Sequence, residues 1–163
     1  MNTIDKTNVT DGFEQLVVFG LANEHYGVDI GSVNTIIRMQ EITSVPRTPP
    51  FVEGVINLRG SIVPVLDLRK RFGLTQGAYT KASRIVVVEA DGLLIGMIVD
   101  AVAETLRLSL DAIEPPSPVI VSIDSDYLRG VGKQDSRLVI LLDMNKVLIA
   151  KEYEALVAME KAA

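Results

Sequence analysis

Apolar residues along this chain fall in short runs, most of them alternating with polar positions rather than recurring every three or four residues. Glu14 to Leu21 is one such run, rich in β-branched and aromatic side chains, and a polar turn at Ala22-Asn23-Glu24 follows it. Tyr26-Gly27-Val28-Asp29-Ile30 alternates cleanly, which predicts a partner strand. Gly31-Ser32 then opens what reads as a short helical turn through Val33, Asn34, Thr35, Ile36 and Ile37. Arg47-Thr48-Pro49-Pro50 predicts a stiff loop, because each proline fixes φ and removes a donor. Val52 to Leu58 and Ile62 to Leu68 read as strands hinged at Arg59-Gly60. Pro64 cannot donate to a ladder, so the second strand is expected at an edge or bulged there. Asp67 is expected to cap one helical turn through Phe72, stopped by Gly73.

After a loop over Gln76 to Ala82 the plan recurs. Arg84 to Glu89 and Leu93 to Val99 flank Asp91-Gly92, a strong hairpin signal. Glu114-Pro115-Pro116-Ser117-Pro118 predicts a second rigid loop, and Tyr127 to Gly132 with Arg137 to Met144 a closing hairpin. Asn145 is expected to cap a final helix whose apolar face is Ile149, Tyr153, Leu156 and Val157. Many short strands with frequent turn signals point to barrels or a sandwich.

The recurrence keeps register. Gly54-Val55 and Asp67-Leu68 answer Gly130-Val131 and Asp143-Met144 at a constant offset of 76 positions. Upstream, Leu16 to Phe19 answers Ile85 to Val88, Gly27 answers Gly96 and Val33 answers Val102, all at an offset of 69. A fixed register broken by one seven-residue insertion predicts two copies of a small β unit, with any site peculiar to the fold lying between them. The polar stretch 1–12 reads as a disordered lead-in without a signal-peptide core, and 13–160 as the duplicated domain.

Composition narrows the functions. The chain has 163 residues, 48% of them hydrophobic, enough apolar mass for a core, and no run approaches the length of a membrane span. The absence of cysteine removes disulfides and thiolate chemistry and fits a cytoplasmic protein. A net charge of −5 opposes phosphate backbones, and eight aromatics with no Trp offer little for base stacking, so nucleic acid is not expected as a partner.

No catalytic apparatus is legible. His25 is the only histidine and is placed at a hairpin turn without a nearby Asp or Ser partner; with no cysteine beside it, no transition-metal site is expected. No nucleophile elbow, P-loop or dinucleotide fingerprint occurs. Asp29, Asp100 and Asp143 fall at strand ends, where capping and turn roles dominate. Arg59 has two readings: a solvated turn arginine, or a planar donor fork at a protein interface. The stripe of Val33, Ile36 and Ile37 is either core or part of an exposed partner groove.

Gly54-Val55-Ile56-Asn57-Leu58-Arg59-Gly60, followed by Ile62-Val63-Pro64-Val65-Leu66-Asp67-Leu68-Arg69, strongly resembles the CheW family of bacterial chemotaxis coupling proteins. Tyr26 to Ile30, Ile95 to Val102, Tyr127 to Gly132 and Leu138 to Asp143 fit the same pattern, so the resemblance covers roughly Phe13 to Val157. It implies an all-β fold of two intertwined SH3-like barrels, with short helical turns and a C-terminal helix. It also implies a non-enzymatic adaptor without cofactor. One surface would bind the regulatory domain of a CheA-type histidine kinase, and a groove would receive the cytoplasmic tip of a chemoreceptor at membrane-associated arrays. Carried over by position, receptor contact would involve Val33, Thr35, Gly54, Asn57, Arg59, Val102, Thr105 and Gly130, the glycines by permitting close backbone approach. The kinase-facing residues are not assigned. Thr35 departs from the family, which commonly has Glu in a Val-x-Glu-Ile string, so a paralogous array for gliding or pilus motility is an open alternative. The rival class is a small β-barrel hydrolase. With the chain ending at Ala163, the resemblance is to the stand-alone form rather than the receiver-fused one.

Overall fold

A computed structural model describes residues 9–10, 12–74, 77–115, 127–147 and 157–158. Its strands in chain order are β1 (Val9–Thr10), β2 (Phe13–Leu21), β3 (Glu24–Asp29), β4 (Val33–Arg38), β5 (Val52–Leu58), β6 (Ser61–Asp67), β7 (Arg84–Ala90), β8 (Leu93–Val99), β9 (Ala101–Ser109), β10 (Ile113–Glu114), β11 (Leu128–Gln134) and β12 (Arg137–Leu142). One helical turn, α1 (Leu68–Arg71), follows β6.

The strands form two sheets, each drawing on both copies of the repeat. One runs β1-β2-β3-β12-β11-β10 with β9 also on β2; the other runs β4-β7-β8-β6-β5. The pairings match copy for copy. β2 with β3 answers β7 with β8, and β4 with β7 answers β9 with β2. β5 with β6 answers β11 with β12, and the parallel pair β6 with β8 answers the parallel pair β12 with β3. Leu16 to Val18 and Ile85 to Val87 therefore occupy equivalent strands. Because β7 and β8 enter the sheet built around β4 to β6, the two units are intertwined rather than side by side.

Each path returns on itself. Thr43 exchanges both backbone bonds with Val55, at 2.9 Å each, bringing the chain that leaves β4 onto β5. β10, which follows β9, pairs with β11 in the same way. Both returns bring the two ends of a path onto one stretch of chain, as a small barrel requires.

Three expectations need correction, the third being the edge or bulge expected at Pro64. Val33 to Ile37 is not a helical turn: Ile30–Ser32 makes one 3-10 turn and β4 follows, paired to β7. An exposed Asn34, Ile36 and Arg38 alternating with half-buried Val33, Thr35 and Ile37 is a period of two, which the β-branched composition favours over a helix. His25 stands inside β3 opposite Gly20, the turn itself being Ala22-Asn23.

Pro64 lies in an interior strand, yet costs no ladder bond. Val55 directs both backbone groups to Thr43, so the Val55–Pro64 pair is not hydrogen-bonded and the proline nitrogen faces away from β5. On its other side the β8 ladder begins only at Val65. Asp67 caps α1 as expected, accepting from the Arg69 and Lys70 amides, and Gly73 (φ 70°) ends it. The proposed C-terminal helix and the second proline loop lie largely outside the described residues; residues 157–158 are helical, and Val157 packs on the core.

Period-two alternation divides the apolar residues into three cores. Leu16, Val18, Leu106, Leu108, Val139 and Leu141 fill the first sheet's interior. Ile56, Val63, Val65, Ile85, Val87 and Ile98 fill the second. The largest core joins the sheets and carries an aromatic row, Phe19, Tyr26 and Phe72 stacked and Tyr127 tilted against Phe72, with centroids 6.1, 6.1 and 5.1 Å apart.

Candidate functional site

The eight residues singled out from the sequence divide between the sheets. Val33 and Thr35 stand on β4, Gly54 and Asn57 on β5 and Arg59 at the β5–β6 tip, all in one sheet; Val102 and Thr105 stand on β9 and Gly130 on β11, in the other. Val33 and Val102 both pack partly buried against the core between the sheets, where the repeat places them as counterparts. Asn57, Arg59 and Thr105 are exposed.

The two glycines have an intramolecular reason to be glycine. Gly54 is buried at φ 146°, and a Cβ there would run into the Thr43 carbonyl. At Gly130 a Cβ would stand 2.9 Å from the Ile113 Cγ2 and 3.0 Å from the Glu114 carbonyl. The backbone that approaches each of them is the chain's own, at the return that closes each path. Both also sit at register shifts, between Val52 and Gly54 and between Leu128 and Gly130.

Arg59 behaves differently. Its φ is 52° and Gly60 follows at 88°, the paired left-handed residues of a two-residue hairpin turn, and the Gly60 amide donates to Asn57 Oδ1 at 2.9 Å. The guanidinium makes no ion pair or hydrogen bond among the described residues, so its charge is available at the tip. Gln40 Nε2 donates to the Asn57 carbonyl at 3.4 Å, tying the segment after β4 to the same hairpin. Nothing in the spacing of the sequence marks Gln40.

The register aligns Thr35 with Glu104. Thr35 stands opposite Val87 after a bulge at Asn34, and Glu104 stands opposite Val18 beside the matching irregularity. Glu104 pairs with Arg137 at 3.0 Å, and that hydrogen bond holds its carboxyl below the ordinary range. Where the first copy has Thr35, the second has a carboxylate already engaged.

Ionic contacts elsewhere organise the scaffold. Glu14, buried in β2, is held bidentately by Arg129 of β11. Lys70 reaches Glu53 at 2.6 Å, and hydrogen bonding to that carboxylate raises the ammonium's pKa. Burial, then the hydrogen bond to Asp67, pushes the Tyr79 phenol up and keeps it a donor. Arg71 lies 4.9 Å from the Phe51 ring and 4.9 Å from the Tyr127 ring while donating to the Val147 carbonyl at 2.7 Å. Phe51 and Tyr127 are counterparts at the offset of 76, as are Arg71 and Val147, so this stack marks the pseudo-twofold axis.

A cleft of about 630 Å³ is lined by Glu14, Asp29, Glu89, Asp91, Asp143 and Arg129, among others. Among the described residues no group of three or more His, Asp or Glu is arranged to hold a metal ion, and no helix is long and apolar enough to cross a membrane.

Comparison with known proteins matches this architecture. A family model described as a CheW-like domain matches residues 15–152. The chain is similar to chemotaxis protein CheW of Klebsiella aerogenes, at 35% identity over 139 residues, covering 85% of this chain and 84% of that protein. It is similar to chemotaxis protein CheW of Treponema pallidum, at 34% identity over 152 residues, covering 91% and 89%. The crystal structure of scaffolding protein TtCheW from Thermoanaerobacter tengcongensis superposes with a TM-score of 0.80 at 42% identity, covering 85% of this chain and 94% of that one.

Proposed function

Since the chain belongs to the CheW-like family, we propose that it is a non-enzymatic chemotaxis scaffold coupling the cytoplasmic tips of chemoreceptors to the regulatory domain of a CheA-type histidine kinase. The observation that supports the reading is the motif from Gly54 to Arg69 carried on β5, β6 and α1, with the Arg59 guanidinium exposed at the hairpin tip and unpaired among the described residues. Coupling here is geometric: a rigid body holding receptor and kinase together lets receptor state bias kinase conformation without any chemistry of its own. Val33, Thr35, Asn57 and Arg59 on one sheet, with Val102 and Thr105 on the other, would supply the receptor-facing side chains. Gly54 and Gly130 would act from beneath by letting each closing strand seat. The protein would work in the cytoplasm, at receptor arrays.

Reconstitution tests this. Purified protein, kinase regulatory domain and receptor-tip fragment should form a ternary complex in size-exclusion chromatography, and receptor control of kinase autophosphorylation should depend on the protein. Binding to neither fragment would sink the adaptor reading.

A further inference from the structure

Charge is spread unevenly along this chain. Residues 38–84 hold eight basic residues against three acidic ones, net +5, in a chain of net −5, so the remainder carries −10. Two of the three carboxylates in that stretch are committed: Glu53 accepts from Lys70, and Asp67 caps α1 and accepts from Tyr79. Arg69 is held in turn by Asp100. Arg38, Arg47, Arg59, Lys81 and Arg84 are left without a carboxylate partner among the described residues, and Glu41 is the only acid of the stretch left unengaged among them.

The register concentrates this excess where β4 meets β7. Arg38 and Arg84 are direct cross-strand partners. Their side chains leave the same face with Cβ atoms about 5 Å apart, and like charges so placed destabilise a sheet. Arg84 turns its Nη1 onto the Lys81 and Ser83 carbonyls, at 2.8 Å each, which fixes the head without neutralising it. Lys81 and Arg38 are exposed, and Arg38 makes no ion pair or hydrogen bond among the described residues. Ile36 stands on the same face two residues before Arg38 and is an exposed large apolar side chain. The second copy shows that the fold requires none of this. At the offset of 69 the counterparts of Arg38 and Arg84 are Arg107 and Gln15, again direct partners, and Arg107 lies over the Phe13 ring at 4.2 Å. One cation there faces a neutral residue and covers a ring, while Gly12 stands for Lys81 and Thr105 for Ile36.

We infer that the β4–β7 face is a docking surface for an acidic protein segment, one that sets carboxylates against Arg38 and Arg84 and an apolar side chain against Ile36. Two like charges held opposite each other cost stability until an anion bridges them. Binding therefore relieves a repulsion as well as forming charge-assisted hydrogen bonds. An extended polyphosphate fits less well, because it would run from this small face onto a remainder of net −10. The adaptor reading gives Arg38, Lys81 and Arg84 no role, so this surface stands or falls independently of it.

The test is a titration of the isotope-labelled full chain with a short poly-L-glutamate peptide at low ionic strength, followed by amide NMR shifts. Shifts should cluster on β4 and the start of β7 and fade as salt rises. Arg38→Gln should weaken binding about two- to fivefold, and Lys81→Gln added to it should weaken binding further. Arg38→Gln should not lower the denaturation midpoint, since it removes a repulsion. Arg107→Gln, the counterpart change, should leave peptide affinity unaltered. A leucine placed among the glutamates should tighten binding, and Ile36→Ser should abolish that gain. Shifts scattered over basic residues of both sheets, or an affinity untouched by Arg38→Gln, would overturn the surface. Heparin moving the same amides with equal affinity, or a leucine that adds nothing, would reduce it to a general polyanion patch and overturn the protein-segment partner. Peptide-free self-association relieved by Arg38→Gln would give the face to a second copy of the chain and overturn that partner as well.

Discussion

At the tip of the β5–β6 hairpin Arg59 takes φ 52°; at the matching tip of β11–β12 Asp135 takes φ 54°. The first turn residue keeps its left-handed backbone and its charge is inverted. The flanking chemistry differs as well. In the first copy Asn57 caps its own turn through Gly60, while in the second Arg137 donates to Gln134 at 2.6 Å. Both two-residue turns place a left-handed residue first, Arg59 in one copy and Asp135 in the other, but only Gly60 continues left-handed, and neither turn dictates what the tip presents to solvent. Positions beneath the tips behave in the opposite way. Gly54 and Gly130 keep their identity across the repeat because a strand of the same chain presses on each.

This contrast separates positions that build from positions that recognise, and substitution can test it. The largest effect is expected beneath the tips. Gly54→Ala combines a disallowed φ with a backbone clash against Thr43, and should cost about 3–5 kcal/mol or abolish folding. Gly130→Ala meets the Ile113 side chain at 2.9 Å and the Glu114 carbonyl at 3.0 Å, a milder conflict without a positive φ, and should cost about 1–3 kcal/mol, the range of ordinary overpacking. Chemical denaturation of both variants measures the difference; equal losses would remove the distinction between the two closures.

At the tips the order reverses. Arg59→Ala should leave stability within about 0.5 kcal/mol and weaken receptor-tip binding by about 1–4 kcal/mol. Asp135→Ala should change neither by as much. A melting temperature lowered in step with affinity would make Arg59 a structural residue.

Thr35 against Glu104 gives a subtler comparison. Thr35→Glu should tighten binding to a receptor tip from a standard chemotaxis system. It should leave unchanged, or weaken, binding to this protein's own receptor, because an unmatched carboxylate is penalised by desolvation. Four titrations at one ionic strength decide the matter, and equal tightening for both receptors would refute an altered specificity.

The smallest effect is one of pH. Arg137 holds the Glu104 carboxyl below its ordinary value, so the pair's contribution is present above that value and lost as pH falls through the folded one. Glu104→Gln should therefore lower stability slightly at neutral pH, with the deficit closing in acid. A deficit that persists below the folded value would point to a packing role instead.

Much of this was legible in the chain because it is local. The hairpins at Arg59-Gly60 and Asp91-Gly92, the Asp67 cap and the Gly73 stop each depend on a few neighbouring residues whose conformational preferences are strong. The 69- and 76-residue registers were equally legible, since a repeat needs no tertiary information to be seen. β4 is not legible as a strand, because Val33 to Ile37 is short, follows a true 3-10 turn, and carries apolar residues at spacings compatible with either period. The tolerance of Pro64 inside an interior strand and the pressure on Gly54 and Gly130 belong to tertiary structure alone. Each depends on residues apart in sequence, such as Val55 with Thr43 or Gly130 with Ile113, meeting across a register that only the assembled sheets define. The chain determined two like units from local preference and periodicity. Which strands they exchange was decided by burying their apolar faces against one another.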